Sequence, residues 1–238
     1  MRLKNNPDRI LIIPDLQAPF QHKDSLDFLD CVANTYEITK VVSIGDEVDQ
    51  HALSRYNHDP DGHSAGREYE LASKFMRRLF DRFPEASACF SNHSDRIFRK
   101  AFEAGIPRAY LRSINEFMGA PDGWQWRSEW RIHDIIFTHG DSAKGSQPHK
   151  ILAQSNLCST VIGHHHSSPG VAYLANDKSC IFGMNVGCLI DAEQYAFHYT
   201  RYNRYKPILG CGVVIHGQPH FLPMMTTHRG RWDRSSGV

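Results

Sequence analysis

Five short stretches of this chain carry side chains suited to divalent-metal chemistry. They are Asp15-Leu16-Gln17, Gly45-Asp46-Glu47-Val48-Asp49, Ser91-Asn92-His93, His139-Gly140-Asp141 and Gly163-His164-His165-His166. Carboxylate, amide and imidazole donors in one set suit Mn, Fe, Zn or Ni better than a metal that seeks thiolate. Taken singly they say little. Asp15 and Asp46 read equally as turn acids, His139 as a strand-end histidine, and the three consecutive histidines as a surface run. What lifts them is a shared position, because each stretch follows an apolar, β-branched run. Ligands at the carboxyl ends of strands converge on one crevice although they are far apart in sequence.

The elements that must position them follow from periodicity. Arg9 to Pro14, Lys40 to Ile44, Ala86 to Phe90, Arg131 to Thr138 and Ser159 to Ile162 read as strands feeding the five stretches in turn. Helical spacing covers 24–36, with Leu26, Leu29, Val32 and Ala33 on one face and Asp24 or Ser25 as cap, and 67–82, with Leu71, Phe75, Met76 and Leu79. It also covers 97–118, interrupted at Gly105 and Pro107, and 147–156. Two further strands, near 179–186 and 211–216, follow without an intervening helix. Alternating strands and helices, then strand-rich sequence, predict an α+β fold of two packed sheets with helices outside. The expected organisation is one domain over 1–225, with 97–131 as a substrate-side insertion and 226–238 as a flexible tail.

In this order, the five motifs resemble the calcineurin-like metallophosphoesterase superfamily, whose pattern is DxH, GDxxD, GNH, a lone His and GHxH. The resemblance spans residues 15 to 166. It implies a four-layer α/β/β/α sandwich and a binuclear centre bridged by Asp46. One ion would be held by Asp15, Gln17, Asp46 and His166, the other by Asp46, Asn92, His139 and His164. It further implies hydrolysis of phosphomono- or phosphodiesters by a metal-bridging hydroxide, since paired divalent ions polarise a phosphoryl oxygen and acidify water. Asn92 would stabilise the phosphoryl oxygens, and His93, oriented by Asp49, would act as general acid. A histidine suits that role because its pKa lies near the working pH. Mn²⁺ is the first expectation for the ions, with Fe, Zn, Ni or Mg also suited.

Three positions depart from the pattern. Gln17 stands where the family has His, and its carbonyl oxygen is a harder, weaker donor that favours Mn²⁺ or Mg²⁺ over Zn²⁺. Ser91 replaces Gly, at little cost if the backbone there keeps a negative φ. Ser94 replaces an acid, with Asp95 and Arg96 directly after it. These departures are the support for an alternative of another class, a non-catalytic binding module on the same fold with a vestigial metal site.

Bulk properties bound the rest. A formal net charge of +1 and a pI near 7.7 give no global attraction to polyanions, so any such binding needs a local patch. The six cysteines form no CxxC pair and read as reduced, mostly buried small hydrophobes. No apolar run approaches the roughly 18 residues that a membrane span needs. The N-terminal segment lacks a signal-peptide core, so a cytoplasmic location is expected. On the substrate side, Arg96 is the candidate phosphate clamp, its guanidinium offering a bidentate fork. Aromatic and basic residues interleave at 124–131 and 195–206, a pattern that suits nucleotides or single-stranded nucleic acid, and equally suits core-plugging or amphipathic strands.

Overall fold

The computed structural model describes residues 7–55, 61–191, 193–194 and 204–237. Its elements, in order, are β1 (Arg9–Ile13), α1 (Ser25–Thr35), β2 (Lys40–Ser43), α2 (Ala65–Arg82), β3 (Ala86–Cys89), α3 (Arg96–Glu103), α4 (Ile114–Met118) and β4 (Trp124–Arg127). They continue with β5 (Glu129–Ile132), β6 (Ile135–Thr138), α5 (Pro148–Asn156), β7 (Ser159–Ile162), β8 (Gly170–Ala175), β9 (Cys180–Asn185), β10 (Gly210–Ile215) and β11 (Gln218–Pro223). The fold is α+β, with a six-stranded sheet in the order β11-β10-β1-β2-β3-β4 and a five-stranded sheet in the order β5-β6-β7-β9-β8.

Alternation along the strands explains the layering. In β1, Ile10 and Ile12 join Val42, Ile44, Phe137, Val161, Phe182 and Met184 in a core between the two sheets. Leu11 and Ile13 point the other way, into a second core with Leu26, Phe28, Leu29 and Val32 of α1 and Ala72, Phe75, Met76 and Leu79 of α2. Successive strand side chains face opposite sides, so an all-apolar strand is one covered on both faces. The outer face of the five-stranded sheet is covered by α5. Complete burial of each Ile or Leu stabilises the fold by about 1.5–3 kcal/mol relative to exposure.

Several sequence expectations change here. The run 131–138 is not one strand. His133, with φ +53°, turns the chain so that β5 and β6 form an antiparallel hairpin. β4, β8 and β11 are further strands, and β4 lies parallel to β3. In the 124–131 stretch, Trp124 and Trp126 are buried in the core under α2, and Trp130 packs between the sheets. Its tryptophans therefore fill the sandwich. Most of the 195–206 stretch lies outside the described residues. Asp24 does not cap α1 with its side chain. Its carboxylate instead accepts from Arg231 Nε at 2.8 Å and from the Trp232 backbone N–H at 2.9 Å. Trp232 is buried edge-on against Phe28, with ring centroids 5.4 Å apart, so the stretch read as a flexible tail is tied to α1. All six cysteines are free.

Candidate metal centre

β1, β2 and β3 are parallel neighbours in one sheet, and β6 and β7 are parallel neighbours in the other. Their carboxyl ends therefore open on one edge of the sandwich, and the chain turns sharply there. The Asp46 carbonyl accepts from the backbone N–H groups of Leu16 at 3.1 Å and Gln17 at 2.8 Å, lashing the first two turns together. Gly45 has φ +104°, and a Cβ on it would lie 2.9 Å from His139 Nδ1. A Cβ on Gly163 would lie 2.4 Å from Asp15 Oδ1, so only glycine lets the second sheet approach this carboxylate. Gln17, Asp46 and His164 have φ of +49°, +52° and +62°, in the left-handed region that non-glycine residues seldom occupy. Backbone strain of this kind collects where function over-determines the geometry.

The seven candidate ligands form one connected cluster. His166 Nε2 lies 2.9 Å from Asp15 Oδ2, and the His164 backbone N–H donates to the same oxygen at 3.0 Å. His164 Nδ1 is 3.2 Å from His139 Nε2, which lies 3.0 Å from Asn92 Oδ1 and 3.5 Å from Asp46 Oδ1. Gln17 donates its amide Nε2 to Asp46 Oδ2 at 3.3 Å, so its nitrogen rather than its oxygen faces the carboxylate. Asp46, His139 and His164 place ligand atoms within 4.8 Å of one another, close enough to share one ion. His165, left out of the ligand set, turns aside to the Gly140 carbonyl at 3.3 Å.

The donor set fits a cation. His139 lies with Nδ1 3.0 Å from the Ile44 carbonyl. If that nitrogen carries the proton, Nε2 presents a lone pair to the oxygens of Asn92 and Asp46. Asp15 and Asp46 are at most 1% exposed, and neither pairs with a Lys or Arg among the described residues. Asp15 Oδ1 is buried without a hydrogen-bond partner. Buried carboxylates without a cationic partner are costly, and a metal ion is one way to neutralise them. Burial pushes the Asp46 carboxyl up, but His139 and His93, with a bond from Ser91, outweigh it and hold it well below the usual range. Burial works against His139, yet Asp46 and Asp15 draw its pKa up. Burial and the charge of His139 push His164 down to about 4. Positive charge is thus drawn to the middle of the cluster.

Beside this cluster sit His93, Asp49 and Arg96. His93 Nδ1 is 3.1 Å from Asp49 Oδ1, and the His93 backbone N–H donates to Asp46 Oδ1 at 3.3 Å. Arg96 is buried. Its Nη1 donates to the Asp49 carboxylate at 2.7 Å and carbonyl at 2.8 Å, and its Nη2 lies 2.8 Å from His93 Nε2. Ser91 keeps out of the left-handed region and exchanges bonds with Ser94, whose hydroxyl accepts from the Ser91 N–H at 2.9 Å. Sequence reasoning missed Glu47, wholly buried beneath the turn, which accepts from Ser43 Oγ at 2.6 Å while burial raises its pKa to about 7. It also missed Arg99, which donates to the Asn92 carbonyl at 3.3 Å. Their only sequence signal was closeness to a motif. Of the other early histidines, His22 is buried against the Gly230 carbonyl at 3.1 Å.

No protein-family model matches the chain, and no curated protein matches it. Among solved structures it is similar to YfcE, a phosphoesterase from E. coli, at 13% identity over 87% of each chain with a TM-score of 0.41. It is also similar to Vacuolar Protein Sorting 29 from Cryptosporidium parvum, at 13% identity over 90% of this chain and 94% of that one, TM-score 0.42. A third is the Pseudomonas putida nuclease MPE, at 11% identity over 90% and 85%, TM-score 0.35. Likenesses this distant carry no argument about function. The resemblance to the calcineurin-like metallophosphoesterases lies in the five motifs, in their order and in their meeting at one edge. No helix among the described residues is long and apolar enough to cross a membrane.

Proposed function

We propose that this chain is a metal-dependent phosphoesterase that cleaves phosphomono- or phosphodiester bonds. The observation that carries the reading is the convergence of seven side chains from five strand ends, two of them buried carboxylates with no Lys or Arg counter-ion among the described residues. Asp15, Gln17, Asp46, Asn92, His139, His164 and His166 would hold two divalent ions, Mn²⁺ first among them. Such ions, when bound, polarise phosphoryl oxygens and make water a nucleophile near neutral pH.

The chain's own residues do the rest. Asn92, with Oδ1 3.0 Å from His139 Nε2, would offer a phosphoryl oxygen a fixed dipole. His93 is the acid for the leaving group, with Nδ1 turned to Asp49 and Nε2 facing Arg96. While Arg96 donates to Nε2, that nitrogen carries no proton. Substrate arrival exchanges these contacts: the released guanidinium meets a phosphoryl oxygen, and the freed Nε2 takes a proton from solvent. His93, now an imidazolium held by Asp49, passes that proton to the leaving-group oxygen. Arg96 is then both the guard of His93 and the phosphate clamp.

The test is Mn²⁺-stimulated hydrolysis of bis-p-nitrophenyl phosphate, with Asp46→Ala and Asn92→Ala expected to abolish it. Full activity in Asp46→Ala, or after rigorous chelation, overturns the reading. The non-catalytic module is the alternative, supported by the departures from the family pattern at Gln17, Ser91 and Ser94. Elemental analysis separates the two, near two ions per chain for the enzyme and near none for the module.

A further inference from the structure

Next to Asn92, a groove of about 630 Å³ runs between the turn after β3, the helix α3 and a short turn at Arg108–Tyr110. That size is within the roughly 300–1,000 Å³ of small-molecule sites. Its walls combine aromatic rings with guanidinium groups. Phe90 lies at its mouth, 44% exposed, two residues before Asn92. Phe98, on α3, carries the Arg108 guanidinium 4.6 Å from its ring centroid. Arg99 reaches the Asn92 carbonyl and is answered by Asp95 at 3.7 Å. Arg108 differs: neither Asp95 nor Asp141, the two carboxylates of the groove, lies within ion-pair distance of it among the described residues. A guanidinium laid on a ring keeps its N–H edge free for an anion.

The metal centre accounts for one phosphate only. An arginine outside it with no carboxylate partner among the described residues, in the same groove as an exposed phenylalanine, fits a substrate with a second phosphate and a flat ring. We propose that the groove holds the nucleotide next to the scissile phosphate of a single-stranded nucleic acid. Arg108 pairs with the neighbouring phosphate and Phe90 stacks on the base. A paired duplex keeps its bases stacked inside and cannot offer that face. A phosphopeptide has neither the second phosphate nor the base. This deepens the phosphoesterase reading and rests on it for the position of the scissile bond.

The experiment measures fluorescence anisotropy of a labelled eight-nucleotide single strand with the Mn²⁺-loaded protein at several salt concentrations. The same preparations are assayed for hydrolysis of bis-p-nitrophenyl phosphate. Arg108→Ala should weaken strand binding about tenfold and lower the slope of log Kd against log salt by about 0.7, the value of one single-strand phosphate contact. Phe90→Ala should weaken binding by about fivefold or more and leave that slope unchanged. Both variants should keep kcat/KM for the small diester. Unchanged strand binding in both variants overturns the proposal, as does equal loss of small-diester hydrolysis, or a duplex or phosphopeptide that competes as well as the strand. If the parent protein binds the strand in this way yet hydrolyses neither substrate, the phosphoesterase reading fails while the groove stands.

Discussion

The metal centre and the groove beside it adjoin at Asn92 and are built in opposite ways. In the centre, side chains from five strand ends and two sheets meet at about 3 Å, most of them buried, and three sit on left-handed backbone. In the groove, the side chains that face solvent from the turn after β3, from α3 and from the turn at Arg108 are exposed or half-buried. They are tied only by the Arg108–Phe98 ring contact and the looser bonds of Arg99 to Asp95 and the Asn92 carbonyl. Reaction chemistry punishes misplacement steeply, because its benefit comes from dipoles and donors fixed beforehand. Selecting a flexible strand does not need such rigidity. Damage to the centre should therefore act on every substrate alike, and damage to the groove only on long ones.

Asp46→Ala probes that division with the largest expected effect. It should lower kcat/KM by about a thousandfold or more for every substrate if Asp46 is, as proposed, the ligand shared by two ions. A loss confined to oligonucleotides would put Asp46 on the groove side. Gly163→Ala comes next. With a Cβ 2.4 Å from Asp15 Oδ1, it should cost about 1–3 kcal/mol of stability and strip metal while the fold survives, seen as lower metal content with unchanged circular dichroism. Retained metal would show that the seam has slack. His93→Ala should cost about 10²–10⁴-fold with an alkyl leaving group and far less with p-nitrophenolate, which needs no protonation. Equal losses with both leaving groups would remove the proton-donor role. Gln17→His restores the softer donor and should raise zinc retention through dialysis, with little change in Mn²⁺-supported rate. The smallest change, Arg108→Ala, should leave small diesters untouched.

Most strands that deliver the candidate ligands were legible because each is a short, largely buried run of small or β-branched residues that stops at a metal-ligand type. The runs ending near Ile13, Ser43, Cys89 and Ile162 read as strands within a residue or two of their bounds. The hairpin of β5 and β6 was not legible, because its turn is made by His133 and Asp134 without a glycine or proline to mark it. β8 and β11 sit at sheet edges, where half-exposed side chains blur the apolar signal. The two tryptophans of β4 alternate with polar residues as a stacking platform would, yet that same alternation puts them into the core. Within the site, residue types identified the cluster but not its second layer. The grip of Arg96 on Asp49 and the placing of Phe90 near Arg108 depend on how the chain folds back beyond α3, which local pattern does not record.

Asp15, Asp46 and Asn92 belong to one sheet, and His139, His164 and His166 to the other, with Gly163 as the tight seam between them. The cluster is therefore a gauge of how the two sheets are docked. A slip of an ångström between them would leave every strand paired and every helix wound, yet scatter the ligands. On gentle heating or acidification, metal affinity should fade before secondary structure does, so the loss of bound ion marks the loosening of the sandwich into a compact but unlocked state.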